Sequence, residues 1–83
     1  MYIPAINQEE SGKRLKDLCD EKGYTAKKLQ TELGLKTPQA CYRWFEGLAI
    51  PKINHLVVIA ELLGIRIDDL IVTNEVELER DDY

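Results

Sequence analysis

The side chains that could take part in catalysis are few and poorly placed for it. The chain has one histidine, His55, so no two-histidine metal site can form. Its two cysteines, Cys19 and Cys41, lie 22 residues apart with no CxxC spacing, and both fall on apolar helix faces, where a thiol acts as a small hydrophobe. The five glycines stand singly and form no phosphate-binding loop. We therefore expect a protein that is not an enzyme and uses no metal or cofactor.

The segment 37–46 offers a different chemistry, that of binding. As a helix it places four apolar side chains on one arc and four polar ones on the other, namely Gln39, Tyr42, Arg43 and Glu46. Gln39 can form two hydrogen bonds with the edge of an adenine, and Arg43 can bind a guanine or a phosphate. Tyr42 can donate its hydroxyl to the DNA backbone or contact a thymine methyl group. Periodicity alone leaves two interpretations open, a DNA-reading face and a merely solvated one.

A short helix presents such a face only if other elements hold it, and glycine and proline divide the chain into helical segments that could do so. Asn7 is the predicted N-cap of the first helix, with Glu10 completing a capping box and Gly23 ending the helix. Thr25 is predicted to cap the second helix, and Gly34 to end it. The buried stripes of these two helices are predicted at Leu15, Leu18, Cys19, Leu29 and Leu33.

The third and fourth helices follow after short turns. Thr37 is the predicted N-cap of the third helix, Pro38 its first residue, and Gly47 the residue that ends it. The fourth helix runs to Gly64 behind an apolar stripe formed by Ile53, Leu56, Val57, Ala60 and Leu63. A last helical turn is expected around residues 68–72, docked by Ile67, Leu70 and Ile71.

The chain ends in an acidic segment, residues 73–83. The run Glu75-Val76-Glu77-Leu78-Glu79 alternates acidic and apolar residues with the period of a strand. Because this run is short, acidic and close to the terminus, we interpret it as a frayed, flexible tail, with an edge strand as the alternative. The sequence thus predicts a domain over residues 1–72 followed by an acidic C-terminal tail.

Composition and charge limit the classes of function. The chain has 83 residues, 45% of them hydrophobic and 31% charged, as one soluble globular domain would have. The net charge is −4, yet residues 1–52 carry nine Lys/Arg against seven Asp/Glu, and residues 53–83 carry two against eight. The acidity therefore comes from the end of the chain and does not exclude a DNA partner. No apolar run is long enough to cross a membrane, and the N-terminus lacks the features of a signal peptide, so we expect a cytoplasmic protein.

Strings of residues between Gly12 and Val72 together form a specific pattern. They are Gly12-Lys13-Arg14-Leu15-Lys16, Gly23-Tyr24-Thr25, Leu29 through Leu33-Gly34-Leu35, Thr37-Pro38-Gln39-Ala40-Cys41-Tyr42-Arg43-Trp44, Gly47 with Pro51, Leu56 through Ile65, and Asp68-Asp69-Leu70. This pattern resembles the phage-repressor-like helix-turn-helix family of the Cro/Xre type, in particular a bacterial subgroup of small transcriptional regulators.

Two positions depart from the family's pattern. Gln30 stands where a small residue is usual, so it is expected to bridge to the third helix or to open the helix angle, and Lys36 lengthens the turn by one residue.

The resemblance implies an all-α, compact five-helix fold of the lambda-repressor type, with the helix-turn-helix motif in helices 2 and 3. The third helix would enter the major groove, and the residues that match base-reading positions are Thr37, Gln39, Tyr42 and Arg43. The residues that match phosphate-contacting positions, or would add charge beside them, are Thr25, Ala26, Lys27, Lys28, Lys36, Lys52 and Asn54. The implied partner is double-stranded DNA, bound by a homodimer in the bacterial cytoplasm at the nucleoid, with no small-molecule ligand.

The function expected from these observations is that of a sequence-specific DNA-binding regulator of transcription, acting as a repressor. The alternative is a protein-interaction module or an antitoxin-like accessory protein that keeps the fold and binds DNA weakly or not at all. The acidic end of the chain motivates this alternative, because it could pair with a basic partner or occupy the DNA-binding face. The last helical turn and the Met1–Ile6 segment are the apolar surfaces expected to be available to a dimer.

Overall fold

A computed structural model describes residues 1–77 of the chain. It contains four α-helices, α1 (Gln8–Lys22), α2 (Ala26–Leu33), α3 (Gln39–Phe45) and α4 (Ile53–Leu63). The other elements are a 3₁₀ turn (Ile67–Asp69) and two antiparallel strands, β1 (Tyr2–Ile6) and β2 (Thr73–Glu77). None of the helices in this part of the chain is both long enough and apolar enough to cross a bilayer.

The residues predicted to begin and end α1 and α2 do so. The Asn7 side-chain oxygen accepts a hydrogen bond from the Glu10 amide at 3.0 Å, and the Thr25 hydroxyl accepts one from the Lys28 amide at 3.1 Å. Each bond satisfies an amide of a first helical turn that has no partner within its helix. Gly23 ends α1 in the left-handed conformation. These caps fix the length of the two helices and therefore the position of the turn that leads to α3.

The core lies between the four helices and consists largely of the faces that helical periodicity predicts. Its buried apolar residues are Leu15, Cys19, Ala26, Leu29, Cys41, Trp44, Leu56, Ile59, Ala60, Leu63 and Leu70. The predicted stripe of α4 is wrong at two positions, since Ile53 is 75% exposed and Val57 is 51% exposed. The buried face of α4 is rotated toward Ile59, which is fully buried, because α4 packs on α1, on α2 and on the 3₁₀ turn.

The predicted all-α, five-helix fold is wrong in two respects. The fifth helix is only the 3₁₀ turn Ile67–Asp69, docked by the buried side chain of Leu70. The turn ends at Asp69 with Leu70 as its C-cap, before the predicted end at residue 72. Residues 73–77, interpreted as the start of a flexible tail, form β2 instead, which agrees with the alternative of an edge strand. The remainder of the predicted acidic tail, residues 78–83, lies outside the described residues.

The two strands form a small antiparallel sheet, called the ribbon below. Its register pairs Tyr2 with Glu77, Ile3 with Val76, Pro4 with Glu75, Ala5 with Asn74, and Ile6 with Thr73. The Asn7 amide donates to the Val72 carbonyl at 2.7 Å and so extends the pairing by one residue. The Ser11 hydroxyl accepts a hydrogen bond from the Val72 amide at 2.8 Å and donates one to the Val72 carbonyl at 3.2 Å. These bonds tie the base of the ribbon to the first turns of α1.

Candidate nucleic-acid interface

The turn between α2 and α3 is fixed by a glycine and a glutamine. Gly34 ends α2 in the left-handed conformation, with φ of +70°, and the Leu35 amide donates to the Gln30 carbonyl at 3.0 Å. The Gln30 side-chain amide donates in turn to the Leu35 carbonyl at 2.7 Å. Gln30 therefore stabilises the turn, and its side chain bonds to Leu35 instead of bridging to α3. The alternative, an opened angle between α2 and α3, stays a prediction.

The helix α3 is shorter than the predicted segment 37–46. It begins at Gln39 and ends at Phe45, with Glu46 and not Gly47 as its C-cap. The Thr37 hydroxyl accepts a hydrogen bond from the Gln39 amide at 3.4 Å, so Thr37 lies just outside the helix but remains bonded to its first residue. The predicted start of the helix is wrong by one residue, since Pro38 and not Thr37 is the N-cap. Because proline has no amide hydrogen, Pro38 leaves no donor unpaired there. Of the four predicted base-reading residues, Thr37 thus belongs to the turn and the other three belong to the helix.

One face of α3 is buried and the other is exposed. Cys41 is fully buried and Trp44 is 5% exposed, and α3 packs through this side on α1 and α2. The exposed residues are the four predicted from the helical period, Gln39, Tyr42, Arg43 and Glu46. The predicted polar face is therefore accessible to a ligand, with hydrogen-bonding groups near its start and a negative charge just beyond its end.

A close approach between α1 and the end of α3 fixes the orientation of this face. A Cβ atom on Gly12 would lie 2.3 Å from the Trp44 carbonyl oxygen and 3.0 Å from the Gly47 nitrogen. A Cβ atom on Gly47, whose φ is +75°, would lie 2.7 Å from the Glu9 Cα. The Gln8 side-chain amide also donates to the Gly47 carbonyl at 2.8 Å. Because only glycine fits at both positions, α1 and α3 pack backbone against backbone and hold the polar face in a defined direction.

The start of α2 and the exposed face of α3 meet in a groove of about 300 Å³. Its lining residues are Lys16, Asp20, Tyr24, Thr25, Ala26, Tyr42, Phe45 and Glu46. The structure therefore brings Thr25 and Ala26, which match phosphate-contacting positions, close to Tyr42, which matches a base-reading position. Unpaired amides at the start of a helix attract an anion such as a phosphate, whereas Asp20 and Glu46 bring negative charge to the same groove.

Lys16 of α1 also lines this groove, and sequence reasoning missed it. Its Nζ lies 2.9 Å from Asp20 Oδ2, and the hydrogen bond and the negative charge of Asp20 raise the pKa of Lys16. In the sequence the spacing of this pair indicates only an exposed helix surface. Nothing in the sequence shows which face of α1 lies beside the start of α2.

The other predicted phosphate contacts are exposed on three segments around α3. They are Lys27 and Lys28 in the first turn of α2, Lys36 in the turn before α3, and Lys52 and Asn54 at the start of α4. The Lys28 ammonium lies 4.8 Å from the centroid of the Tyr24 ring, a favourable cation–π contact. The ring centroids of Trp44 and His55 are 5.7 Å apart, and this contact places the start of α4 beside α3.

The thiols do not add chemistry to this surface. Cys19 and Cys41 are free cysteines and fully buried. Burial raises the pKa of both thiols, that of Cys19 to about 11. Within residues 1–77, no cluster of histidine, cysteine and acidic side chains is arranged to hold a metal ion. The exposed face of α3 and the residues around it form the candidate functional site.

Comparison with known families identifies the arrangement of α2 and α3. The family described as Helix-turn-helix matches residues 15–70, which is more than half of the chain. The chain belongs to this family. The predicted resemblance to Cro/Xre-type proteins is confirmed, and this helix-turn-helix protein is a DNA-binding regulator of transcription. The family is one of DNA-binding regulators, not of enzymes. No curated protein sequence matches the chain.

Two solved structures share the fold of this helix-turn-helix protein. The restriction-modification controller protein C.AhdI from Aeromonas hydrophila is 22% identical, with a TM-score of 0.68 over 77% of this chain and 96% of that one. The clp gene regulator ClgR from C. glutamicum is 21% identical, with a TM-score of 0.65 over 76% of this chain and 80% of that one. At these identities the similarity establishes the fold alone.

Proposed function

We propose that this helix-turn-helix protein is a repressor that binds a specific double-stranded DNA sequence as a homodimer, with α3 in the major groove. The exposed polar face of α3 carries the proposal, because Cys41 and Trp44 anchor the helix while Gln39, Tyr42 and Arg43 are accessible. The major groove accepts a helix, and residues near its start reach deepest. Gln39 would read an adenine edge there, and Arg43 one turn later would bind a guanine or a phosphate.

The basic residues around α3 would bind the DNA backbone on both sides of the groove. Lys27 and Lys28 lie in the first turn of α2, while Lys36 and Lys52 lie in the turn before α3 and just before α4. Lys16 of α1 is already paired with Asp20. Thr25, Ala26 and Asn54 would add neutral hydrogen-bond donors. Each lysine that neutralises a phosphate displaces counterions, so the affinity should fall steeply as salt rises. These contacts set the position of the protein on DNA, and the face of α3 sets the sequence preference.

The outer side of α4 supports the homodimer. Ile53, Val57 and Val58 are exposed there, and an apolar arc of this kind on a small domain is typical of an interaction surface. A second copy related by a two-fold axis would cover the arc and present two α3 helices to two half-sites. The sequence predicts two other dimer surfaces, the last helical turn and the Met1–Ile6 segment. Both stay predictions, and the sedimentation experiment described below tests them.

Fluorescence anisotropy tests DNA binding directly. The probes are duplexes from the DNA that flanks the gene, with a random duplex for comparison, at about 50 and 200 mM salt. We expect one flanking duplex to bind more tightly than the random one. Gln39→Ala and Arg43→Ala should each reduce that preference by about tenfold or more, while the thermal unfolding temperature stays close to that of the unmodified protein.

The matched control is Lys13→Ala, which removes an exposed charge of α1 that is paired with Glu9 and Glu10. It should leave the preference unchanged. If both α3 variants also keep the preference of the unmodified protein, the exposed face of α3 does not read DNA. Transcription in vitro from a promoter carrying the preferred duplex should fall when the protein is added, and a rise would identify an activator instead.

The dimer is tested by Val57→Glu, which introduces a charge into the apolar arc of α4. Sedimentation should show a dimer for the unmodified protein and a monomer for the variant. Because α3 is untouched, binding to a single half-site should persist while binding to the full site weakens. If the variant remains dimeric, the interface is not the apolar arc of α4, and the surfaces expected from the sequence become the candidates.

A further inference from the structure

The ribbon is a prominent exposed feature that DNA binding does not use. Every residue of β2 is exposed, and Tyr2 and Ile6 of β1 are exposed as well. Within residues 1–77 the sheet has only these two strands. A sheet of two strands is marginally stable in water, and a third strand raises its stability. The ribbon is therefore a surface on which an additional strand would be accommodated.

The hydrogen-bond pattern shows which backbone groups face outward. The Asn7 amide donates to the Val72 carbonyl, so this pair has the orientation of the hydrogen-bonded type, although the Val72 amide itself donates to the Ser11 hydroxyl. Because bonded and non-bonded pairs alternate along an antiparallel ladder, the pairs Ala5–Asn74 and Ile3–Val76 are bonded as well. In β2, the amide and carbonyl groups of Thr73, Glu75 and Glu77 therefore point away from β1, toward the outer edge of the sheet.

The two edges of the ribbon differ in their capacity to pair. Pro4 lies opposite Glu75 in a non-bonded pair, so its missing amide hydrogen interrupts the outer edge of β1. A proline on an edge strand prevents the pairing of another strand there. The outer edge of β2 has a donor at each of Thr73, Glu75 and Glu77. A third strand would consequently add to β2 and not to β1.

Charge determines what kind of strand fits. Glu75 and Glu77 lie on the same face of β2, and neither strand contains a lysine or an arginine side chain. A second β2 pairing about a two-fold axis at Glu75 would set the two Glu75 carboxylates directly opposite each other, and like charges at that spacing repel. A strand with basic side chains opposite Glu75 and Glu77 would instead gain a cross-strand attraction.

A groove at the base of the ribbon extends the acidic surface. It measures about 400 Å³ and is lined by Val72 and by residues of α1, namely Glu10, Lys13, Arg14, Asp17, Leu18 and Glu21. Lys13 lies within ion-pair distance of Glu9 and Glu10, and the Arg14 side chain donates to the Asp69 carbonyl. Since both bases have partners within the chain, Asp17 and Glu21 favour a basic side chain beside the apolar surface of Leu18.

We propose that the outer edge of β2 binds an extended segment of another protein, with lysine or arginine at alternate positions, as the third strand of the sheet. Its backbone would bond to Thr73, Glu75 and Glu77, its basic side chains would lie beside the two glutamates, and its intervening apolar side chains would lie beside Val76. The acidic ribbon repels DNA, so this partner would bind at a surface separate from α3.

The test uses the full chain and a fluorescent, capped heptapeptide of alternating valine and lysine. The control peptide has the same residues with the lysines grouped together. Anisotropy should show that the alternating peptide binds at least about tenfold more tightly than the grouped one, because only the alternating peptide places its charges on one face of a strand. Equal binding of the two peptides would overturn the proposal, since it would show attraction between charges without strand pairing.

Two variants of β2 separate the backbone contribution from the charge contribution. Glu75→Pro removes one outward amide. Because Glu75 lies opposite Pro4 in a non-bonded pair, no hydrogen bond to β1 is lost, and binding of the alternating peptide should weaken about fivefold or more. Glu75→Gln with Glu77→Gln keeps every amide and should weaken binding severalfold at low salt. The matched control, Glu32→Gln with Glu61→Gln, changes exposed glutamates of α2 and α4 and should leave binding unchanged. If the control double variant lost as much affinity for the alternating peptide as Glu75→Gln with Glu77→Gln does, the proposal would be overturned.

Amide hydrogen exchange shows the strand directly. Asn74 and Val76 should be protected in the protein alone, because their amides bond to β1, whereas Thr73, Glu75 and Glu77 should become protected only when the alternating peptide is added. Absence of this added protection would overturn the proposal. Protection of the same three amides without peptide, in a sample that sediments as a dimer, would assign the edge to a second copy and overturn it as well.

Discussion

The helix-turn-helix region and the ribbon are stabilised in different ways, although they belong to one small chain. In the first region, side chains from α2 and α3 such as Leu29, Cys41 and Trp44 are almost completely buried. In the ribbon, β2 buries none of its residues and is held by backbone pairing and by the bonds of Ser11 to Val72. The polar face of α3 is thus positioned by a packed core, while the edge of β2 depends on a few hydrogen bonds at its base.

The two regions also differ in charge, and the difference matches the partners proposed for them. Lysines lie around α3, at the start of α2, in the turn before α3 and before α4, whereas the ribbon carries Glu75 and Glu77 and no basic side chain. A rigid, basic surface suits the fixed geometry of a DNA groove. An acidic strand edge suits an extended, basic peptide that forms its structure on binding.

The largest expected effect on the free energy of unfolding comes from Gly12→Ala, which disrupts the packing between α1 and α3. The added methyl group would overlap the Trp44 carbonyl oxygen, and the helices would have to separate. We expect a loss of about 3 kcal/mol in the free energy of unfolding and a decrease of about 15 °C in the unfolding temperature. Urea and thermal denaturation measure both, with the exposed neighbour Lys13→Ala as control. A stable Gly12→Ala protein would mean that the contact between α1 and α3 does not require glycine.

The free energy of unfolding measured as a function of pH tests the burial of Cys19 in the core. Burial raises the pKa of the Cys19 thiol from its ordinary value of 9.0 to about 11, so the folded protein keeps a proton that the unfolded chain releases. This contribution is complete below pH 9 and is lost as the pH rises toward 11. The free energy of unfolding should therefore fall by about 2 kcal/mol over this range. In Cys19→Ala this part of the decrease should be missing, and identical pH dependence in both proteins would contradict the assignment.

The ribbon should respond more weakly and more locally. Ser11→Ala removes the hydroxyl that bonds both the amide and the carbonyl of Val72, at a cost of about 1.5 kcal/mol. We expect faster amide exchange at Asn74 and Val76, with little change at the amides of α3. Thr31→Ala is the control, because it removes an exposed hydroxyl that only donates to the Lys27 carbonyl. If Ser11→Ala accelerated exchange equally in the ribbon and in α3, the two regions would unfold as one unit.

The contrast explains which parts of the fold could be predicted from the sequence. Helix caps act within a few residues, so Asn7, Thr25 and Gly34 marked their helix ends correctly. Helical periodicity likewise gave the buried and exposed faces of α3. The stripe of α4 was partly wrong because Ile53 and Val57 are apolar yet exposed, and apolar composition alone does not distinguish a core face from an outer face.

The ribbon could not be predicted in the same way. Its strands, Tyr2–Ile6 and Thr73–Glu77, lie at opposite ends of the described chain. The alternation that begins at Glu75 has the period of a strand, but β2 buries no face, so the pattern alone did not decide between a strand and a tail. Their pairing depends on the position of Ser11 beside Val72, which follows only from the packed helices. Lys16 was missed for the same reason, because its place in the groove depends on how α1 lies against α2 and α3.

The smallest expected effect compares one charge in each region. Lys52→Gln removes an exposed charge proposed to contact a phosphate, so it should weaken binding to every DNA duplex about fivefold. The slope of the logarithm of the affinity against the logarithm of the salt concentration should become shallower by about one. Glu75→Gln removes one charge from the ribbon and should leave the DNA affinity nearly unchanged, since the edge of β2 is proposed to face another partner. Anisotropy over a series of salt concentrations measures both. An equal and opposite effect of the two variants would show that DNA responds only to net charge, and the division of the molecule into a DNA-binding face and a separate ribbon would have to be abandoned.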